Sequence, residues 1–268
     1  MSSHVTGGGG ASNPNYTYEG LGTGDGSGTT VTSGAANTAG SYQSLGTAVS
    51  AWCGFWLQIY QSQNAANRYL ATIRFDSTDK VSNFYVQCDN ARGAQAIFFP
   101  LKVPAGTDVQ VKVQSSGATQ TVKTAMTGIV AGATTPPGFD NCTTLLTADT
   151  TNTRPSSTAV PLSTTTAWTE IVASLGASYG AFLMSLCDNG TAPTVAQPAR
   201  ARLATGAASE TQVFSAEFMA QTTNPTVARG VLPVVQKAIG SGTRLSMNLL
   251  AAAAGTPDQF TVGLHGFS

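Results

Sequence analysis

Proton-transfer chemistry in a protein most often runs through histidine, and this chain of 268 residues holds two, His4 and His265. His4 stands in the glycine-rich opening MSSHVTGGGG, so a Ser-His-Asp relay could draw only on His265, in the terminal GLHGFS. No GxSxG elbow supplies a nucleophile for it, and the expectation is a strand-end histidine that is merely hydrogen-bonded. The carboxylates Asp76/Asp79 and Asp149/Glu170 could be imagined as acid and base, yet they fall in loop-like stretches where solvated carboxylates are the rule. TGDGSGTT (23–30) opens around Asp25 like a calcium loop, but the D-x-D-x-D-G spacing and the terminal Glu are absent. GGGG (7–10) has no lysine, strand or helix pattern to make it a phosphate cradle, and both segments read as flexible backbone. CDN occurs at 88–90 and 187–189, and each reads as an Asx turn at a strand end. Cys53, Cys88, Cys142 and Cys187 lack CxxC spacing and sit in or beside apolar runs, as free, buried thiols do. No catalytic, cofactor-binding or metal-ligating residue is expected, no cofactor is required, and the chain does not read as an enzyme.

The elements that would have to position any such group are strands. Charged residues make up 10% of the chain, against about 25% in ordinary soluble proteins, and 13 basic residues balance 13 acidic ones. A neutral surface gives no electrostatic footprint for nucleic acid or an anionic membrane, so neither is expected as a partner. The opening lacks a cationic segment leading into an apolar run, and no apolar stretch reaches 18 residues, so a soluble chain made in the cytoplasm is expected. With 29 glycines and 12 prolines among abundant Ser, Thr and Asn, the vocabulary is that of short strands and tight turns.

The chain also repeats itself. VPAGTDVQVKV (103–113) matches IGSGTRLSMNL (239–249) at an offset of 239 − 103 = 136. The apolar positions Val109, Val111 and Val113 agree with Leu245, Met247 and Leu249, while the alternate polar positions differ. Side chains alternate along a strand, so one face is kept for a core and the other is free to change. TTVTSGAANT (29–38) matches TLLTADTTNT (144–153), YQSLGTAVSAWCGFWL (42–57) matches WTEIVASLGASYGAFL (168–183), and LAT recurs at 70–72 and 203–205. These pairings place Trp56 on Phe182, Leu57 on Leu183 and Tyr42 on Trp168, aromatic or apolar in both copies, which points to shared core positions.

The expected architecture is therefore all-β, with two tandem antiparallel β-sandwiches of jelly-roll or galectin-like type. An extended N-terminal arm covers 1–28, copy one 29–132, a linker 133–142 and copy two 143–268. ASETQVFSAEFMAQ (208–221) is ambiguous between helix and strand. Pro100 and Pro104 bracket Lys102, which marks an edge or a bulge there. Tyr60, Tyr69 and Tyr85 have no aromatic counterpart in copy two and are the candidates for a ligand face that binds a sugar. In the arm, Tyr16, Tyr18 and Leu21 are the candidates for anchoring on a partner, and the chain 29–268 is expected to stay folded without them.

FPLKVPAGTDVQVKVQ in copy one and LPVVQKAIGSGTRLSMNL in copy two resemble a module of virion proteins of tailed bacteriophages, in which a terminal VxLxGF also closes the domain. The resemblance covers most of the chain after residue 28, with Gly240 standing where the pattern has proline. It implies a non-enzymatic structural protein of the virion, made in the host cytoplasm. Such a protein decorates the head or forms part of a fibre or tail adaptor, with other capsid or tail proteins and further copies of itself as partners. A carbohydrate-binding module or adhesin for a host cell-surface glycan is the alternative, and a hydrolase the third.

Overall fold

The computed structural model describes residues 16–22, 28–60, 67–86, 95–132, 135, 137–189, 193–207, 209–222, 227–228, 231–253 and 258–268, with the backbone alone at 60, 227 and 228. Every regular element among the described residues is a strand. The first half holds β1 (Tyr18–Leu21), β2 (Thr29–Thr32), β3 (Thr38–Ala39), β4 (Gln43–Thr47), β5 (Trp52–Tyr60), β6 (Tyr69–Phe75), β7 (Thr78–Val86), β8 (Gln95–Phe99), β9 (Asp108–Ser115) and β10 (Thr121–Val130). The second holds β11 (Cys142–Thr144), β12 (Ala159–Ser163), β13 (Thr169–Val172), β14 (Tyr179–Asp188), β15 (Gln197–Thr205), β16 (Thr211–Ala220), β17 (Val227–Ala228), β18 (Val235–Ile239), β19 (Leu245–Ala251) and β20 (Gln259–Phe267).

In the first half, β1 and β2 lie one after the other along β10, which pairs with β5, which pairs with β8. The facing sheet has β3 and β4 along β9, then β6, then β7. The second half repeats this order: β11 and β12 along β20, then β14 and β18, facing β13 along β19, then β15 and β16. All of these pairings are antiparallel, and neighbours distant in sequence are joined by crossings between the two sheets. Each half is thus a jelly-roll sandwich. In the second, β12 also runs parallel to β19 at Leu162↔Leu249, stitching one sheet to the other.

Alternation fills the two interiors. Val109, Val111 and Val113 are buried in the first core and Leu245, Met247 and Leu249 in the second, while Lys112 stays partly exposed. Burying each of these side chains contributes about 1.5–3 kcal/mol. The matched turns before them agree as well, with Gly106 at φ 83 and Gly242 at φ 77, in the left-handed region that favours glycine. The rewritten face is not all surface, however. Ser246 and Asn248 are buried too, because residues 164–168 lap over β19 and the Asn248 amide donates to the carbonyls of Thr165 (3.1 Å) and Ala167 (2.6 Å).

The register refines the repeat. Phe55 lies opposite Gly128 and Phe182 opposite Gly266, so β5 and β14 correspond at an offset of 182 − 55 = 127. Trp52 then matches Tyr179, and each ring covers the glycine of the adjacent strand, where a Cβ on Gly266 would fall 2.6 Å from Tyr179. Sequence matching put Trp56 on Phe182 and Leu57 on Leu183; the correct partners are Phe55 and Trp56, one residue earlier. A one-residue slip reverses the face of every side chain. Trp56 is consequently an outer-face residue rather than core, and Trp168 likewise lies half-buried on its sheet's outer side, with the Arg202 guanidinium 5.2 Å from its ring centroid. In the same way Ile73 opposite Val111 corresponds to Leu203 opposite Met247, so the two LAT segments do not coincide. β2 corresponds to β12, since Val31↔Val122 and Val160↔Phe260 sit at matched places on the closing strands, so 29–38 and 144–153 are not equivalent. Within the stretch 208–221, Thr211–Ala220 form the strand β16.

The segment expected to be an arm is partly a strand of the first sandwich. β1 pairs with β10 from Tyr18↔Ile129 to Leu21↔Met126, and Leu21 is buried in the core. Its counterpart is β11, which pairs with β20 in the same place.

Candidate functional site

Among the described residues, the groups that could do chemistry are held within the architecture. His265 is buried on the outer face of β20, where its Nε2 lies 3.0 Å from the carbonyl oxygen of Ser82 in the first sandwich, so the neutral ring donates there. Desolvation holds its pKa below the usual 6.5, and the Ser82 bond only partly opposes that. Because the unfolded chain binds the proton more readily, the stability this residue contributes is intact above about pH 6.5 and is lost as pH falls towards the lower folded pKa. The melting temperature is expected to drop between about pH 7.5 and pH 5. His265→Gln, which keeps a donor but cannot titrate, should flatten that dependence, and an unchanged slope would assign it to other groups.

Asp79 accepts from the Tyr42 hydroxyl (2.5 Å) and from Arg74 Nε (2.9 Å), with Lys112 Nζ at 4.0 Å. Burial pushes its pKa upward, but these partners prevail and hold it below the usual range. The Arg74 guanidinium also lies 3.5 Å from the Tyr42 ring centroid. Asp76 accepts from the Asp108 amide at 2.9 Å, Asp149 orders its own loop through Thr151 and Asn152, and Glu170 pairs with Arg244 at 2.6 Å. Each of the four thus holds partners that order a strand or a loop. Among the described residues no group of three His, Cys, Asp or Glu side chains could hold a metal.

Cys53 and Cys187 are buried free thiols and Cys142 is half-buried, its thiol pushed up to about 12 by desolvation. Cys187 and Asp188 close β14, so this CDN stands at a strand end, and Asp188 pairs with Arg68 of the first sandwich at 3.4 Å. His4, the 7–10 glycines, Asp25 and the CDN at 88–90 lie outside the described residues.

The tyrosines expected to form a ligand face do not converge on one. Tyr69 is buried in the first core, and Tyr85 is buried with Leu70 against Cys187 of the second sandwich. The side chain of Tyr60 lies outside the described residues. Of the arm residues, Leu21 is consumed by the chain's own core and cannot anchor a partner. Tyr16 and Tyr18 remain exposed, and the Tyr18 ring meets Trp56 at a tilt, with ring centroids 6.1 Å apart. Trp56 in turn meets Phe98 at 5.1 Å, making an aromatic strip across the outer face of the β1-β10-β5-β8 sheet. The strip runs into a crevice of about 270 Å³ whose other wall is Leu183 and Val231–Val234.

Sequence reading missed two sets of residues. Glu19 accepts from the amides of Val49 (2.6 Å) and Ser50 (3.0 Å) and from Trp52 Nε1 (3.0 Å), clamping β1 to the approach to β5. Across the joint between the sandwiches, Gln114 Nε2 donates to Thr153 Oγ1 (3.0 Å), whose hydroxyl donates to Asn37 (2.8 Å), and Arg68 Nε donates to the Asn152 carbonyl (3.1 Å). Each set joins residues far apart in sequence with no motif to mark them.

No family model and no curated protein matches the chain. Among solved structures, it is similar to the STIV MCP at 11% identity, covering 94% of this chain and 96% of that chain with a TM-score of 0.38. It is similar to N-glycanase F (PNGase F) at 9% identity, covering 94% and 96% with a TM-score of 0.41. The CBM22-1-CBM22-2 tandem domain of Paenibacillus barcinonensis Xyn10C follows at 10% identity, covering 96% and 92% with a TM-score of 0.26. Likenesses of this size carry no functional conclusion.

Proposed function

We propose that the chain is a non-enzymatic structural protein of a virus particle, of the tailed-phage kind that its sequence module resembles, in head decoration or a fibre or tail adaptor. The observation that carries the reading is the architecture itself: two jelly rolls locked by a buried joint, with the described histidine and carboxylates spent on holding strands and loops together. Jelly rolls recur in capsid and lectin domains, where broad sheet faces do the work. Contacts within the particle, with further copies of the chain among the partners, would use the outer face that carries Tyr16 and Tyr18. The glycan-binding alternative loses Tyr69 and Tyr85 to burial.

Antibody labelling of intact particles from the producing host is the test. The chain should co-purify with particles and be labelled on their surface, and recovery only in the particle-free fraction would overturn the reading. Specific retention on host polysaccharide without particle association would instead establish the adhesin alternative.

A further inference from the structure

The joint between the sandwiches is an interface that one chain makes within itself, and half of it is left open at each end. In the second sandwich the outer face of β11-β20-β14-β18 is covered. Ala181, Leu183 and Phe267 join the first core, Val234 and Cys142 pack against it, and the Ser82 carbonyl accepts from Thr144 Oγ1 at 3.1 Å. The registers identify the matching positions in the first sandwich. Leu183 corresponds to Trp56 and Phe267 to Ile129, through Phe182↔Gly266 and Phe55↔Gly128. Val234 corresponds to Phe98, through Phe182↔Val235 and Phe55↔Phe99. Cys142 opposite Phe267 corresponds to Tyr18 opposite Ile129. The positions covered in one sandwich are thus Tyr18, Trp56, Phe98 and Ile129 in the other, more aromatic and only partly covered, with Tyr18 54% exposed.

The surface that does the covering is also present twice. Part of it is Leu70 beside Tyr85, paired across β6 and β7 and packed on Cys187. Its equivalent on β15 and β16 is Arg200 opposite Glu217, joined at 2.6 Å with side chains 54% and 60% exposed, and exposed Met219 lies two residues further along β16. We infer that the outer face of the first sandwich, centred on Trp56, binds the β15–β16 surface of the second sandwich of another copy of this chain. The contact repeats the internal joint head to tail. A guanidinium and a thioether suit aromatic faces, and the polar Arg200–Glu217 pair makes the contact between chains weaker than the apolar one within the chain. Unlike surfaces meeting in this way close into a ring or extend as a filament.

The inference goes beyond the virion reading and is tested in solution, so either can fail alone. The purified full chain is followed by sedimentation over a hundredfold concentration range around the micromolar level, with Trp56→Glu and Arg200→Glu beside it and thermal melting as the check on folding. The wild-type chain should assemble beyond a dimer as concentration rises, and each variant should remain monomeric with a near-native melting temperature. Mixing the two variants restores one intact pair of surfaces, so it should give a dimer that grows no further. A wild-type chain that stays monomeric throughout would overturn the inference. So would a folded Trp56→Glu chain that still assembles, or an Arg200→Glu chain that dimerises alone.

Discussion

A chain lacking residues 1–28 should melt well below the full-length protein, although composition alone would treat that segment as a dispensable tail. Leu21 sits in the first core, and Leu21→Ala by itself should cost about 2–4 kcal/mol. Deletion removes in addition the Glu19 carboxylate, leaving the indole N–H of fully buried Trp52 without its acceptor and the amides of Val49 and Ser50 unbonded on that side. Burial alone would push the Glu19 pKa upward, yet the three donors outweigh it and hold the carboxylate below its ordinary range. A urea titration of the full chain, the deletion and Leu21→Ala would order the three in stability. Equal midpoints for the deletion and the full chain would show that β1 contributes nothing and that its pairing with β10 is incidental.

The second large effect lies at the joint. Leu183→Asp should destabilise the whole molecule by about 3–5 kcal/mol, since it places an unpaired charge at a site 2% exposed between two cores. The intact chain should unfold in one calorimetric transition, because Ala181, Leu183 and Phe267 of the second sandwich complete the core of the first. Residues 1–132 expressed alone should be aggregation-prone, with that apolar surface open to water. Two separated transitions in the intact chain, or an unshifted melt of Leu183→Asp, would show instead two sandwiches that merely touch.

Much of this architecture was legible in the residues. The alternation over 103–113 and 239–249 gave the right inward set and the right pairing, with both turn glycines in the left-handed region. Apolar parity was weaker over 52–60, where nearly every side chain is apolar and a slip of one residue costs nothing in sequence matching while reversing the faces in space. That is why Trp56 read as core and lies outside. The tyrosines failed for a related reason. The absence of aromatic counterparts in copy two suggested exposure, but Tyr69 faces the first core itself, and Tyr85 is buried because the outer β6–β7 surface of the first sandwich is covered by the second.

By itself the sequence determined the class of fold, because low charge, frequent turns and period-two alternation admit strands and little else, and it determined that the module is used twice. Which outer faces are buried, what His265 and Glu19 touch, and the commitment of Tyr18–Leu21 to a sheet were decided by tertiary structure alone. Alternation fixes which side of a strand is apolar within one sandwich. The burial of its other side depends on where a second sandwich docks, and that contact is made by residues more than a hundred positions apart, such as Ser82 and His265, with no local pattern to announce it.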